Sequence, residues 1–128
     1  MAIESTGLVH MTLRVTDVAR STEFYANALG FDVQRERPGF ALMNAYGTPI
    51  VLVDAETPEG DSFNPFRVGL DHFALGVEND ALEGLVAMLD EAGARNNGIQ
   101  VFKGSGALYI SVYDPDGIAW EFFGKPPD

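Results

Sequence analysis

At 128 residues the chain is one domain's worth, long enough to bury roughly two thirds of the surface its unfolded form exposes. Eight basic against nineteen acidic residues give a net charge of −11, which argues against nucleic acid and anionic membrane surfaces as partners. The absence of cysteine excludes disulfides, thiolate metal ligands and a cysteine nucleophile together.

In chain order, the first element is a strand in Gly7-Leu8-Val9-His10-Met11-Thr12-Leu13-Arg14-Val15, where Val9, Met11, Leu13 and Val15 alternate with His10, Thr12 and Arg14. A helix over Val18–Leu29 follows, with Asp17 or Thr16 as its cap and Gly30 as its stop. Three strand-like runs come next, at Phe31–Glu36, Ala41–Ala45 and Pro49–Val53. The stretch Asp54–Val68, rich in proline, glycine and aspartate, reads as a linker.

The pattern G-L-x-H-x-x-L-x-V then returns at Gly69-Leu70-Asp71-His72-Phe73-Ala74-Leu75-Gly76-Val77, and the two copies use both histidines of the chain. A second helix has Leu82, Leu85, Val86 and Leu89 at helical spacing, Asp80 and Glu83 as a capping box, and Gly93 at its end. Three more strands are predicted, at Ile99–Lys103, Ala107–Tyr113 and Ile118–Phe123. The order is strand-helix-strand-strand-strand, twice. A repeat of this kind predicts one duplicated supersecondary unit, here two modules at residues 7–53 and 69–123 within a single domain.

Both histidines share strand phase and repeat position, opposite the main apolar set. Glu121 is the one acid in the apolar run Ile118–Phe123, and a carboxylate there is costly to bury unless paired or bound to a cation. Taken singly, each histidine is more simply a hydrogen-bonded structural residue, and the glutamate an edge residue facing water. Together, His10, His72 and Glu121 make a two-histidine, one-carboxylate candidate with coordination positions left open. That donor set favours Fe(II) or Mn(II), with Zn, Ni and Co as alternatives, one ion per site. Arg14 shares the phase of His10 and is a candidate for holding an anionic substrate group or for a salt bridge at the strand's end. Tyr109 and Tyr113 are candidate proton-transfer groups, with aromatic packing as the plainer role. Phe40, Met43, Phe63, Phe66 and Phe102 are candidates for an apolar pocket, core packing again being the plainer reading.

These features resemble the vicinal oxygen chelate superfamily, which includes glyoxalase I, extradiol dioxygenases, fosfomycin-resistance transferases, methylmalonyl-CoA epimerase and bleomycin-binding proteins. The resemblance rests on Leu8–Asp17, on Ser21-Thr22-Glu23-Phe24-Tyr25 with Leu29-Gly30-Phe31, on Leu70–Val77, and on Asp114-Pro115-Asp116-Gly117-Ile118-Ala119-Trp120-Glu121. It implies an α+β fold of two βαβββ modules forming a curled mixed sheet around a central site. It also implies a divalent metal held by His10, His72 and Glu121, a small oxygenated substrate, and a homodimer.

Two departures from the family narrow the reading. A fourth ligand position falls on Leu52, or on Val51 in an alternative alignment, and neither side chain binds metal; this weakens a glyoxalase I assignment. An extra acid–base histidine, as extradiol enzymes employ, is also missing. Any general base is then a carboxylate, a tyrosine such as Tyr109, or hydroxide on the metal. The enzyme reading therefore spans ring-cleaving dioxygenase and glyoxalase or lyase chemistry, with Glu121 and Tyr109 as catalytic candidates and Arg14, Phe40, Met43 and Tyr109 as substrate contacts. The competing reading is a metal-free, drug-sequestering module of the bleomycin-resistance kind. No run of bilayer length and no basic-then-apolar start is present, so the cytoplasm is the expected location and no membrane partner is expected.

Overall fold

The repeated pattern folds as two repeated units in the computed structural model, which describes residues 2–128. One compact unit ends at Asp61 and the other begins at Ser62.

In the first unit the alternation of Leu13 and Val15 with Thr12 and Arg14 makes β1 (Met11–Val15), which starts two residues after Val9, the first residue of the alternation, so His10 just precedes it. The helix α1 (Val18–Asn27) starts where expected. Asp17 is extended, and its carboxylate accepts the Arg20 N–H at 3.1 Å, satisfying one of the orphan donors of the first turn. Asp17→Ala is expected to lower stability by about 1 kcal/mol in urea unfolding, the usual cost of losing such a cap. Thr16 serves elsewhere: its hydroxyl accepts from the Arg20 guanidinium at 2.7 Å.

The strands β2 (Asp32–Arg37), β3 (Phe40–Ala45) and β4 (Thr48–Asp54) complete a four-stranded sheet in the order β1-β4-β3-β2. All ladders are antiparallel except β1 with β4, which is parallel. Ala41, Met43, Ile50, Leu52, Leu13 and Val15 are buried with Val18 and Tyr25 of α1. Tyr25 stacks on Phe31 at 5.4 Å, and the Tyr46 hydroxyl donates to the Leu29 carbonyl at 2.6 Å, tying the β3–β4 turn to the end of α1. Gly30 is needed there on two counts. Its φ is +73°, and a Cβ would stand 2.7 Å from the Tyr46 hydroxyl oxygen.

The second unit repeats the plan. Strands β5 (His72–Gly76), β6 (Asn96–Val101), β7 (Leu108–Tyr113) and β8 (Ala119–Phe123) form a sheet ordered β5-β8-β7-β6, again with a parallel β5–β8 ladder. Helix α2 (Leu82–Glu91) packs on β6 and β7. Ile110, Val112, Trp120 and Phe122 fill its core with Leu82 and Leu89, and Phe73 stacks on Trp120 at 4.4 Å.

The predicted Asp80–Glu83 capping box does not form. Residues Asn79–Ala81 already wind as a 3₁₀ turn and Ala81 is helical, so Asp80 lies inside the turn and not in the extended conformation a cap requires. Asn79 instead clasps the tail, accepting from Lys125 N at 3.0 Å and donating to its carbonyl at 3.1 Å. The Asp114–Gly117 turn is held by Asp114 Oδ1, which accepts from the N–H groups of Asp116 and Ile118, each at 2.8 Å.

Candidate functional site

Strand alternation sorts the second sheet into two faces. Phe73, Trp120, Phe122, Ile110 and Val112 point toward α2, so His72, Ala74, Glu121, Phe123, Tyr109 and Ser111 share the other. The parallel register pairs His72 with Ala119 and Ala74 with Glu121. That offset lets the Glu121 carboxylate reach back to the imidazole: His72 Nε2 and Glu121 Oε1 are 3.1 Å apart. Glu121 Oε2 accepts from the Ser111 hydroxyl at 3.3 Å, across the β7–β8 pair. The other imidazole nitrogen, Nδ1, lies 2.7 Å from Asp71 Oδ1.

This arrangement sets a constraint. A neutral imidazole carries one N–H, so it can donate to only one of the two carboxylates that face it. With Nδ1–H given to Asp71, Nε2 presents a lone pair toward Glu121, and the two acceptors repel unless a positive charge lies between them. A proton or a metal ion meets that need. Adjacent donors around a six-coordinate cation with bonds of about 2.1 Å stand about 3.0 Å apart, close to the 3.1 Å between Nε2 and Oε1. Glu121 is only 16% exposed, so its charge is poorly served by water. The pair therefore fits a divalent ion.

His10, Arg14, Phe40 and Met43 belong to the first unit. His10 is exposed, immediately before β1. The β1–β4 register pairs Thr12 with Val51, and Thr12 holds the place in β1 that Ala74 holds in β5. Val51 is thus the counterpart of Glu121, and the first module has no carboxylate at that position. Asp54 is occupied otherwise: its Oδ1 accepts from Val18 N at 3.3 Å at the start of α1. Arg14 donates to the Asp54 backbone carbonyl at 2.9 Å, in place of the carboxylate salt bridge considered from sequence. Phe40 lies under the Arg37 guanidinium at 4.1 Å. Met43 requires a correction. It is fully buried among the residues that back onto α1, so it packs the core and does not line a pocket. Among the described residues no group of three or more His, Asp or Glu side chains is gathered as a cation site; the second unit brings two donors together.

A cavity of about 490 Å³ opens over this pair, lined by His72, Ala74, Phe102, Tyr109, Glu121 and Phe123. Tyr109 sits in it with its ring stacked on Phe123 at 5.2 Å, and its hydroxyl makes no hydrogen bond among the described residues. Tyr113 is structural: its hydroxyl accepts from Asn97 at 3.0 Å and the Arg95 guanidinium covers its ring. Phe66 is exposed and lies outside the cavity lining. The residues that sequence reasoning missed are Asp71, Ser111 and Phe123. Phe123 was within reach, being two positions after Glu121 and hence on its face. Asp71 precedes the strand, where alternation says nothing about side-chain direction.

Fold and site together define a small α+β protein of duplicated βαβββ units with a histidine–carboxylate pair on one sheet. Residues 7–122 match the Glyoxalase/Bleomycin resistance protein/Dioxygenase superfamily, and the chain belongs to that family. It is 32% identical to catechol-2,3-dioxygenase of Bacillus subtilis (strain 168) over 130 residues, covering 97% of this chain but 43% of that protein. It is 31% identical to lactoylglutathione lyase of Salmonella typhimurium over 121 residues, covering 86% of each. Among solved structures, the glyoxylase/bleomycin resistance protein/dioxygenase domain from Frankia sp. EAN1pec superposes with a TM-score of 0.79 at 26% identity, covering 95% of this chain and 94% of that one. The chain thus spans less than half the length of its dioxygenase relative. No helix of the described residues is long and apolar enough to cross a membrane.

Proposed function

We propose that this protein is a divalent-metal-dependent enzyme that binds a small oxygenated molecule over the His72–Glu121 pair, with His10 as the third ligand and a homodimer as the working form. The observation that carries this reading is the 3.1 Å approach of Nε2 and Oε1, the spacing of adjacent donors on one six-coordinate cation when the imidazole gives its Nδ1–H to Asp71. A divalent ion bound there supplies Lewis acidity to two vicinal substrate oxygens and stabilises the negative charge that develops on them. The chain's own groups do the rest. Asp71 fixes the imidazole so that the Nε2 lone pair faces the site, and Ser111 orients the Glu121 carboxylate. The Tyr109 hydroxyl, unengaged in the cavity, is placed to give or take a proton.

The dioxygenase and lyase relatives support two reaction branches, ring cleavage and glyoxalase-like proton transfer. The apolar lining favours the first. Oxygen uptake with catechols after anaerobic iron loading tests that branch.

The metal reading is tested by elemental analysis of protein purified without chelator, then loaded with Fe(II), Mn(II), Zn(II) or Ni(II). About one ion per chain is expected, held more tightly at neutral than at acidic pH because protons compete for the imidazole and carboxylate. Protein that takes up none of the four overturns the proposal. Asp71→Ala is expected to weaken metal binding by about 10- to 100-fold, as the loss of an outer partner of a ligating histidine typically does. Titration calorimetry with Zn(II) measures it.

A further inference from the structure

Strand β6 is the outer edge of the second sheet, and its ladder with β7 is interrupted. Asn96 pairs with Val112 and Ile99 with Ile110, so Asn97 and Gly98 together stand opposite Ser111, and neither has a partner in register. Gly98 takes a φ of +69°, and a Cβ built on it would meet nothing within 4 Å. Asn97 is exposed. Its Nδ2 donates to the Tyr113 hydroxyl at 3.0 Å, and the Arg95 guanidinium lies 4.4 Å from the centroid of the same ring. The Gly98 N–H donates to a side chain, Asn96 Oδ1 at 2.9 Å, and not to β7.

The geometry points to Asn97 as a site of spontaneous deamidation. The Gly98 amide nitrogen, its proton lost to solvent base, attacks the Asn97 carboxamide carbon. The new C–N bond closes a succinimide ring, and the side-chain nitrogen leaves as ammonia. Water then opens the ring at either carbonyl, leaving aspartate or isoaspartate, with no oxidant or reductant involved. The closure needs the Asn97 side chain to fold back on the next peptide, which a following Cβ obstructs and a continuous ladder opposes. Neither obstacle exists here. The other asparagines are followed by alanine, proline, aspartate or asparagine, so each lacks the bare neighbour. Asp116-Gly117 has the atoms to close the same ring, yet Asp116 is 8% exposed and the Gly117 N–H is held by the Asp114 main-chain carbonyl at 3.0 Å.

Each product adds a negative charge to a strand whose own six side chains carry none. Aspartate is accommodated, since the Tyr113 hydroxyl can turn its proton toward the new carboxylate while Arg95 supplies a positive charge beside it. Isoaspartate is not. The main chain then runs through the former side chain, and the carbonyl that accepts from Gln100 Nε2 at 2.8 Å becomes a free carboxylate.

The test holds the full chain at mildly alkaline pH, native and unfolded in guanidinium chloride, and follows peptide masses with time. Isoaspartate is scored by the isoaspartate-specific methyltransferase reaction. Asn97 should convert before any other asparagine, at a native rate within about 10-fold of its rate in the unfolded chain, as expected where no ladder must open first. Asn97→Gln should abolish the early mass change, and Asn97→Asp should leave the urea midpoint where it is in the parent chain. A slower native rate than that, earlier conversion at another asparagine, or an early mass change that survives Asn97→Gln overturns the site. A lowered midpoint in Asn97→Asp overturns the accommodation of the aspartate product.

Discussion

The proposed metal site predicts that His72→Ala weakens divalent-metal binding by more than about 100-fold, beyond the range seen when only an outer partner of a ligand is removed. The variant removes one donor of the 3.1 Å pair and leaves Glu121 with the Ser111 hydroxyl as its remaining neighbour. Folding should survive, because the His72 side chain is 38% exposed at the first position of an edge strand and contributes nothing to the Phe73–Trp120 core. Equilibrium dialysis against Zn(II) or Mn(II), with far-ultraviolet circular dichroism as the folding control, separates the two effects. A folded variant that keeps wild-type affinity would remove His72 from the site. Glu121→Gln makes the same point from the other side: it keeps the shape and removes the charge, so affinity falls although the fold has one less carboxylate to desolvate.

The second large effect is on stability. Trp120→Ala should cost about 3–5 kcal/mol, the usual range for removing a large aromatic side chain from a packed core. Trp120 is 1% exposed on an interior strand, with Phe73 stacked at 4.4 Å. Such a loss is a large share of the stability a domain of this size normally possesses. The urea midpoint of the variant is the measurement. A shift equivalent to less than about 1 kcal/mol would mean that Trp120 packs far more loosely than its burial indicates.

Much of this was legible in the chain. The order of elements, the cap at Asp17, the stop at Gly30 and the shared face of His72 and Glu121 follow from periodicity and from the habits of particular residues. Glu121, a carboxylate between Trp120 and Phe122, stood out in the sequence because burial penalises charge, and the structure places it 16% exposed and 3.1 Å from His72 Nε2. What was not legible lies where periodicity gives no direction. Asp71 sits just outside β5, so no alternation fixes where it points, whereas Phe102, a pocket candidate from the sequence, does line the cavity. Asp80 and Glu83 have the spacing of a capping box, but the 3₁₀ turn at Asn79–Ala81 takes the backbone past the conformation that box needs. Met43 took the plainer of its two roles, core packing, and not that of a substrate contact. An unbranched apolar side chain suits a pocket and a core equally, and only the register of β3 against β4 decides between them.

The parallel β5–β8 ladder has a consequence for how the site comes into being. In each half of the chain the first strand made pairs with the last, so its partner reaches the ribosome exit only after the helix and two further strands. Long-range closures of this kind are slow, since the intervening chain must be ordered before any contact rewards it. His72 therefore waits for Glu121 throughout synthesis of that half, and a nascent chain halted before β8 holds an imidazole with no carboxylate across from it. On the proposed function, ion capture would depend on the last strand synthesised, and an arrested or shortened product should be unable to scavenge metal through this pair.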